Sequence, residues 1–359
     1  MSVLARWGRP GLLAVMMVTG LAFPLVVTNA LDTNIAIVTL LFAAGVVAWN
    51  IFSGYTGYVS LGHAVFFGTG AYTVGLIALD HDLNSSVVFA TLPLGGLAAA
   101  IVAVPFGLIA LRVRRHAFVV VTIAVFFIAQ LMAYDLGVTH GVAGVTIPLL
   151  NWASATYNNP FYYAAFLTLT ATVALSWLIR NSRFGLRLRA IRDDEDRARG
   201  LGVRPMPVKL AAFVLSAFIT GVVGGIWVLF IGQALPSSAF DPLYDLQIAL
   251  MGFLGGFGTL WGPVIGAFIL EPTQQYITLQ FTTGYATQIV LGGLFLLVVL
   301  FMPRGLLPTG GERLSAARAW WSRRRPSQPV PVEPGAEPSA AGPLSPARQT
   351  STSPPGSAG

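Results

Sequence analysis

The chain has 359 residues, 55% of them apolar and only 10% charged, with a net charge of +7. A soluble domain carries roughly 25% charged residues, so this chain cannot cover a core with a water-facing exterior, and it reads as a membrane protein. It contains no cysteine, which excludes a disulfide framework, a thiol nucleophile and a thiolate metal site.

From the N-terminus, apolar segments lie at 11–28, 35–53, 58–79, 86–111, 117–136, 160–180, 209–232, 247–270 and 285–303. A stretch of about 20 apolar residues suffices to cross a bilayer as a helix. The predicted fold class is therefore all-α, a polytopic membrane protein of about 8–10 transmembrane helices. No cleavable signal peptide is evident, because Gly11–Val27 runs into further spans without a small-residue cleavage pattern. All 21 Lys and Arg fall before the first segment, after the fourth, across 180–209, or beyond the last. The alternate connections hold Asp32, Asp80, Asp82, Asp135, Asp241 and Asp245 and no base. Positive charge resists translocation, so both termini and the connection 181–208 are expected in the cytoplasm, and 233–246 outside. The basic balance is then a topology signal, not a nucleic-acid patch.

Parity makes 247–270 irregular. Between an external 233–246 and an internal Arg304 an odd number of crossings is needed, so 247–270 must re-enter or break. Gly255-Gly256-Phe257-Gly258, followed by Gly262-Pro263, supplies the break, since Gly and Pro are the costliest helix-interior residues. Broken backbone at membrane depth is tolerated where it is buried in protein or lines a cavity. The expected organisation is a transmembrane domain over 1–310 and a Pro/Ser/Ala/Gly-rich tail over 311–359 that is too poor in apolar side chains to fold.

Three constellations stand out. Gly54, Gly57, Gly62, Gly68 and Gly70 place five glycines in seventeen residues at the entry of an apolar segment. Close helix packing and an unwound stretch beside a solute path both fit, and the second Gly-interrupted segment, in the other half of the chain, supports the latter. His63 lies within a span, where ionisable groups are usually functional. A neutral histidine making a packing hydrogen bond is the commoner case, and no carboxylate precedes Asp80 in that span. The second constellation is the connection Arg180–Lys209, where Asp193 with Arg197 and Glu195 with Arg199 form i, i+4 acid–base pairs. With Gly202 as its stop, Asp193–Gly202 predicts a short, highly charged helix, which fits either a solvated connector held by the positive-inside rule or a docking element for a soluble partner. Third, Gly221 with Gly225 and Gly262 with Gly266 make small-xxx-small faces for helix contact. No GxxxxGK[ST] phosphate loop, GxSxG, HExxH or metal-spaced His/Glu cluster is present, so no cofactor or metal is expected.

Several runs together resemble the LivM-type permease of branched-chain amino acid ABC importers. They are Gly54-Tyr55-Thr56-Gly57 with Ser60-Leu61-Gly62-His63-Ala64 and Phe67-Gly68-Thr69-Gly70-Ala71-Tyr72, and the segment Arg114–Thr122. Leu188–Glu195 with Leu201-Gly202-Val203 and Lys209–Ala217, and Gly255–Ala267, complete the set. The resemblance covers about 30–310 and implies a subunit without ATPase activity of its own in a bacterial inner membrane. It implies a second, LivH-like permease, two cytoplasmic ATPase subunits and an extracytoplasmic solute-binding protein as partners. The charged connection then corresponds to the ATPase-coupling loop, with Arg192, Asp193, Asp194, Glu195, Asp196, Arg197 and Gly202 as its candidate residues. Importer loops generally read Glu-Ala-Ala, three residues, Gly; here Asp196-Arg197-Ala198 and Gly202 hold that spacing, so the first two letters depart. Candidates for the translocation path are Gly54, Gly57, Gly62, His63, Gly68, Gly70, Gly255, Gly256, Gly258 and Pro263. The same pattern serves urea and short-chain amide importers. A stand-alone secondary transporter is the rival class, but the sequence shows no paired intramembrane carboxylates for one; a membrane enzyme stands third.

Overall fold

The structure is a computed structural model. It describes residues 17–280, apart from 28, 149, 151 and 153–155, together with 289, 292, 293 and 296. The expected tail at 311–359, most of the last apolar segment at 285–303 and the start of the first lie outside the described residues.

Helices α1 (Met17–Val26) and α2 (Ala30–Trp49) come first, and α2 runs directly into a π turn at Asn50–Gly54. Then follow α3 (His63–Asp80), α4 (Leu92–Ala110), α5 (Arg115–Asp135) and α6 (Asn159–Asn181). The charged connection holds α7 (Arg183–Asp193) and α8 (Glu195–Gly200). The 27-residue α9 (Pro205–Ile231) precedes the short α10 (Pro236–Ala239), α11 (Pro242–Gly255) and α12 (Gly262–Gln280). The one sheet among the described residues is a two-residue antiparallel pair, β1 (Val145–Thr146) with β2 (Gln233–Ala234). Five of the described helices are long and apolar enough to cross a membrane, and the chain is an all-α polytopic membrane protein.

Lipid tails are as apolar as leucine, so helices in a bilayer associate by close packing rather than by escaping water. Here α9 forms the centre, and small residues bring its backbone against its neighbours. A Cβ on Gly221 would meet Ala99, the Gly95 carbonyl and Gly96; one on Gly70 would run into the Gly221 carbonyl. Around Phe213 of α9, rings of Phe52, Phe66 and Phe106 close at centroid distances of 4.8, 5.2 and 5.5 Å. The small-residue faces read from the sequence are thus contact faces. Gly266 likewise presses on Met251 and Gly255 of α11.

The expected break in 247–270 occurs between α11 and α12, which fold back on each other with Gly255 against Gly262. The stretch 233–246, expected as an external connection, is partly packed into the bundle. Ala234, Pro236, Ala239, Phe240, Tyr244 and Asp245 are buried, and the Phe240 ring fills the gap beside Gly68 and stacks on Tyr72 at 5.9 Å. Its apolar residues are too few to register as a span, yet numerous enough to thread α10 and the start of α11 into the bundle.

Candidate functional site

Two helix interruptions meet at the end of the bundle that carries the arginines. In the first, the π turn Asn50–Gly54 leads through Tyr55 and Thr56 to a left-handed Gly57. The second is 256–261, between α11 and α12. Asn50, fully buried, joins them: its Nδ2 donates to the Thr259 carbonyl (2.9 Å), and its Oδ1 accepts from the Gly258 N–H (2.9 Å). Within the first break, Trp49 Nε1 donates to the Ser60 carbonyl (2.8 Å) and the Ser60 N–H to Ser53 Oγ (3.2 Å). Away from water, backbone groups released by a break must find partners, and these side chains provide them.

The charged connection is seated on both interruptions. Arg192, at the end of α7, donates from Nη1 to the Gly54 carbonyl (2.8 Å), and its guanidinium carbon stands 5.3 Å from the centroid of Phe257. Gly258 has φ 76°, a left-handed conformation that favours glycine. A Cβ there would also collide with Arg192 Nη1 and the Gly54 carbonyl. Arg115 donates to the carbonyls of Ile191 (3.0 Å) and Arg192, closing the C-terminus of α7 with positive charge, as the helix dipole favours.

A second anchor lies one turn on. Tyr58 Oη donates to Glu195 Oε2. Lys209 Nζ donates to both Glu195 oxygens (3.0 and 3.2 Å) and to Tyr58 Oη (3.1 Å), and stands 4.2 Å from the centroid of the Tyr58 ring. The side chains of Lys209 and Glu195 are 3% and 21% exposed, so this pair is largely sheltered from solvent screening. Burial alone would push the Glu195 carboxyl up; the bonds from Tyr58 and Lys209, with the charges of Lys209 and Arg199, outweigh it and hold it below the usual range. Asp194 is held low as well, first by the Arg197 N–H and then, against a small desolvation, by the Asp196 N–H and nearby arginines. A groove of about 1000 Å³ opens here, lined by Tyr58, Arg115, Asp193, Glu195, Met206 and Lys209 among others.

A family model described as branched-chain amino acid transport system, permease component, matches residues 31–299. The chain belongs to that family. The permease LivM of the high-affinity branched-chain amino acid transport system of Escherichia coli is 26% identical over 324 residues, 82% of this chain and 74% of LivM. LivH of Salmonella typhimurium is 25% identical over 288 residues, 74% of this chain and 91% of LivH. The autoinducer 2 import permease LsrC of Yersinia pseudotuberculosis is 29% identical over 140 residues, 38% of this chain and 40% of LsrC. No solved structure matches. The chain is thus a transport subunit, a multi-pass inner-membrane permease.

The permease brings together some of the residues singled out in its sequence and separates others. Gly54, Gly57, Gly258 and Arg192 converge at the junction. Gly255 and Pro263 are buried where α11 meets α12, with Gly256 in the turn between them at φ 131°. Gly62, Gly68 and Gly70 are packing positions: a Cβ on Gly62 would lie 2.9 Å from the Thr122 carbonyl, and one on Gly68 2.6 Å from the Phe240 ring. The predicted single helix Asp193–Gly202 is instead split. Asp194 is the N-cap of α8, accepting from the Asp196 and Arg197 N–H groups at 3.0 Å each. A capping carboxylate must leave helical geometry, so α7 ends at Asp193. The expected Asp193–Arg197 pair gives way to Asp194–Arg197 at 3.1 Å. Glu195–Arg199 stands at 3.7 Å, and Asp196 lies 3.7 Å from the exposed Arg114. Gly202 ends the turn at φ 85°, and a Cβ there would meet nothing within 4 Å.

His63 is fully buried and its ring is held by serines. Ser216 Oγ donates to the Ala48 carbonyl (2.7 Å), so it must accept from His63 Nε2 (2.8 Å). In a neutral ring Nδ1 then accepts from Ser60 Oγ (3.0 Å). The sequence reading placed Asp245 in a connection without a role and did not single out Glu271. Asp245 Oδ1 accepts from the N–H groups of His63 (2.8 Å) and Ala64 (3.1 Å), capping α3 from another helix. Glu271, in α12, is 1% exposed and accepts from Gln275. A charge inside a run expected to be a connection or span was the available signal, but nothing in sequence pairs residues 182 positions apart.

Proposed function

We propose that this permease forms part of the translocation pathway of an ABC importer for branched-chain amino acids, with α7–α8 as the ATPase-coupling element. The observation that carries the reading is the junction: one charged connection bonded through Arg192 and Glu195 to the first interruption of the membrane helices, with the Arg192 guanidinium against Phe257 of the second. Energetic coupling between distant sites needs a contiguous, rigid element, and this contact supplies one between a soluble ATPase and the membrane interior. A LivH-like permease, two cytoplasmic ATPase subunits and an extracytoplasmic binding protein complete the machine in this reading, with the arginine-rich end in the cytoplasm. The glycine stretches at 54–70 and 255–263 flank the solute path.

Reconstitution tests it. The chain combined with its partner permease, ATPases and binding protein takes up leucine only with ATP, and Gly202→Trp weakens ATPase attachment or uncouples hydrolysis from uptake. Uphill uptake by proteoliposomes holding this chain alone overturns the importer reading in favour of a secondary transporter. Saturable delivery of urea or a short amide, but not leucine, by the cognate binding protein overturns the solute.

A further inference from the structure

Between α4 and α9 lies a second groove, of about 640 Å³, with an apolar lining that includes Val104 of α4, Leu210, Val214 and Phe218 of α9, and Phe184. Pro207 lines both this groove and the charged one, so the two adjoin there. From Pro207 to Phe218 the groove follows α9 for about 16 Å, at about 1.5 Å per residue. The hydrocarbon core of a bilayer is about 30 Å thick, so this length is one leaflet. Its far end is closed where Phe218 lies against Gly96. At the mouth, Arg112 and Arg204 line the charged groove beside Pro207, and both are exposed. Among the described residues neither is ion-paired, whereas Arg114, Arg197 and Arg199 each face a carboxylate.

We propose that these two grooves together hold one anionic phospholipid, with an acyl chain along α9 and its phosphate at Arg112 and Arg204. An unfilled apolar groove forfeits dispersion contacts along its walls, and a flexible hydrocarbon chain restores them. The lining offers no polar partner for an extended peptide, whose backbone groups would be left unsatisfied in this setting. Unneutralised arginines at the end of such a groove attract an anionic headgroup, and basic pockets between membrane helices on the cytoplasmic side are where such headgroups are recognised. The site is independent of which solute is carried.

The test is native mass spectrometry of the purified full-length chain, titrated with palmitoyl-oleoyl phosphatidylglycerol or the matching phosphatidylcholine. Wild type retains one phosphatidylglycerol at a concentration about tenfold below that needed for phosphatidylcholine. Arg112→Gln with Arg204→Gln abolishes that preference. Ala211→Trp, which fills the groove from an exposed position, abolishes retention of both lipids. Equal retention of the two lipids by wild type, a preference that survives the double substitution, or undiminished retention by Ala211→Trp each overturns the proposal.

Discussion

The two helix interruptions share glycines and a location but differ in where their hydrogen bonds come from. The stretch at 50–62 is served mostly by its own side chains and its immediate neighbour: Trp49, Ser53, Thr56 and Ser60 bond within it, while Thr122 and Arg192 add one bond each from outside. The stretch at 256–261 has only Thr259, which accepts from the Gly262 N–H (3.0 Å) and donates to the Gly256 carbonyl (2.7 Å). Its remaining side-chain bonds come from Asn50. The first interruption thus supplies most of its own bonds, and the second depends on it. A displacement applied to the first, where Arg192 and Glu195 attach, is therefore carried to the second.

The sharpest way to break this asymmetry is Asn50→Leu. It strands the Thr259 carbonyl and the Gly258 N–H, at a cost of about 2–4 kcal/mol, read as a lowered melting temperature. A cysteine introduced at Trp261, in this cysteine-free chain, should react faster with a maleimide in the variant, while one at Leu61 reacts unchanged. Equal acceleration at both positions would contradict the dependence of the second break on the first.

A smaller effect, about 1–3 kcal/mol, is expected from Glu195→Gln, because Lys209 keeps its buried charge and loses its counter-ion. The pH dependence has a definite sign. The Glu195 carboxyl is lower in the folded protein than in the unfolded chain. Its contribution is therefore complete above the ordinary carboxylate value and is lost only as pH falls through the depressed one. A spin label at position 200, where a side chain would point into open space, should keep its mobility from neutral pH down to about 5 and loosen only in stronger acid. In Glu195→Gln it should be loose throughout.

The smallest effect belongs to Gly202→Ala. Gly202 and Gly258 are both left-handed, but only Gly258 is enclosed. Gly202→Ala should cost about 1 kcal/mol, the backbone penalty alone, and Gly258→Ala clearly more by thermal unfolding. Equal losses would mean that the contact with Arg192 adds nothing.

The fold class, both interruptions and the charged connection were legible because each leaves a local mark: an apolar run, a glycine cluster, a run of arginines. What linked them was not. Tyr58 lies 137 residues from Glu195, and an ion pair drawn from the sequence by helical spacing put Arg197 on Asp193 instead of Asp194. Spacing rules presume an unbroken helix, and a capping carboxylate ends one. Asp245 was assigned to an external connection because that connection holds no Lys or Arg; charge counting says nothing of burial, and the free N–H groups at the start of α3 hold its carboxylate inside the protein.

The π turn at Asn50–Gly54 has an evolutionary consequence. A π turn contains one residue more than the α turn it replaces, so α2 and the residues beyond it are out of phase by about 100° relative to an unbroken helix. That offset lets Trp49, Asn50, Ser53 and Tyr55 all find their partners. A one-residue deletion in this turn would restore a regular helix and rotate the downstream side chains away from those partners. Among descendants of this gene, substitutions can therefore accumulate in the turn while its length stays frozen, and a gap-free column of five residues is the trace such a constraint leaves.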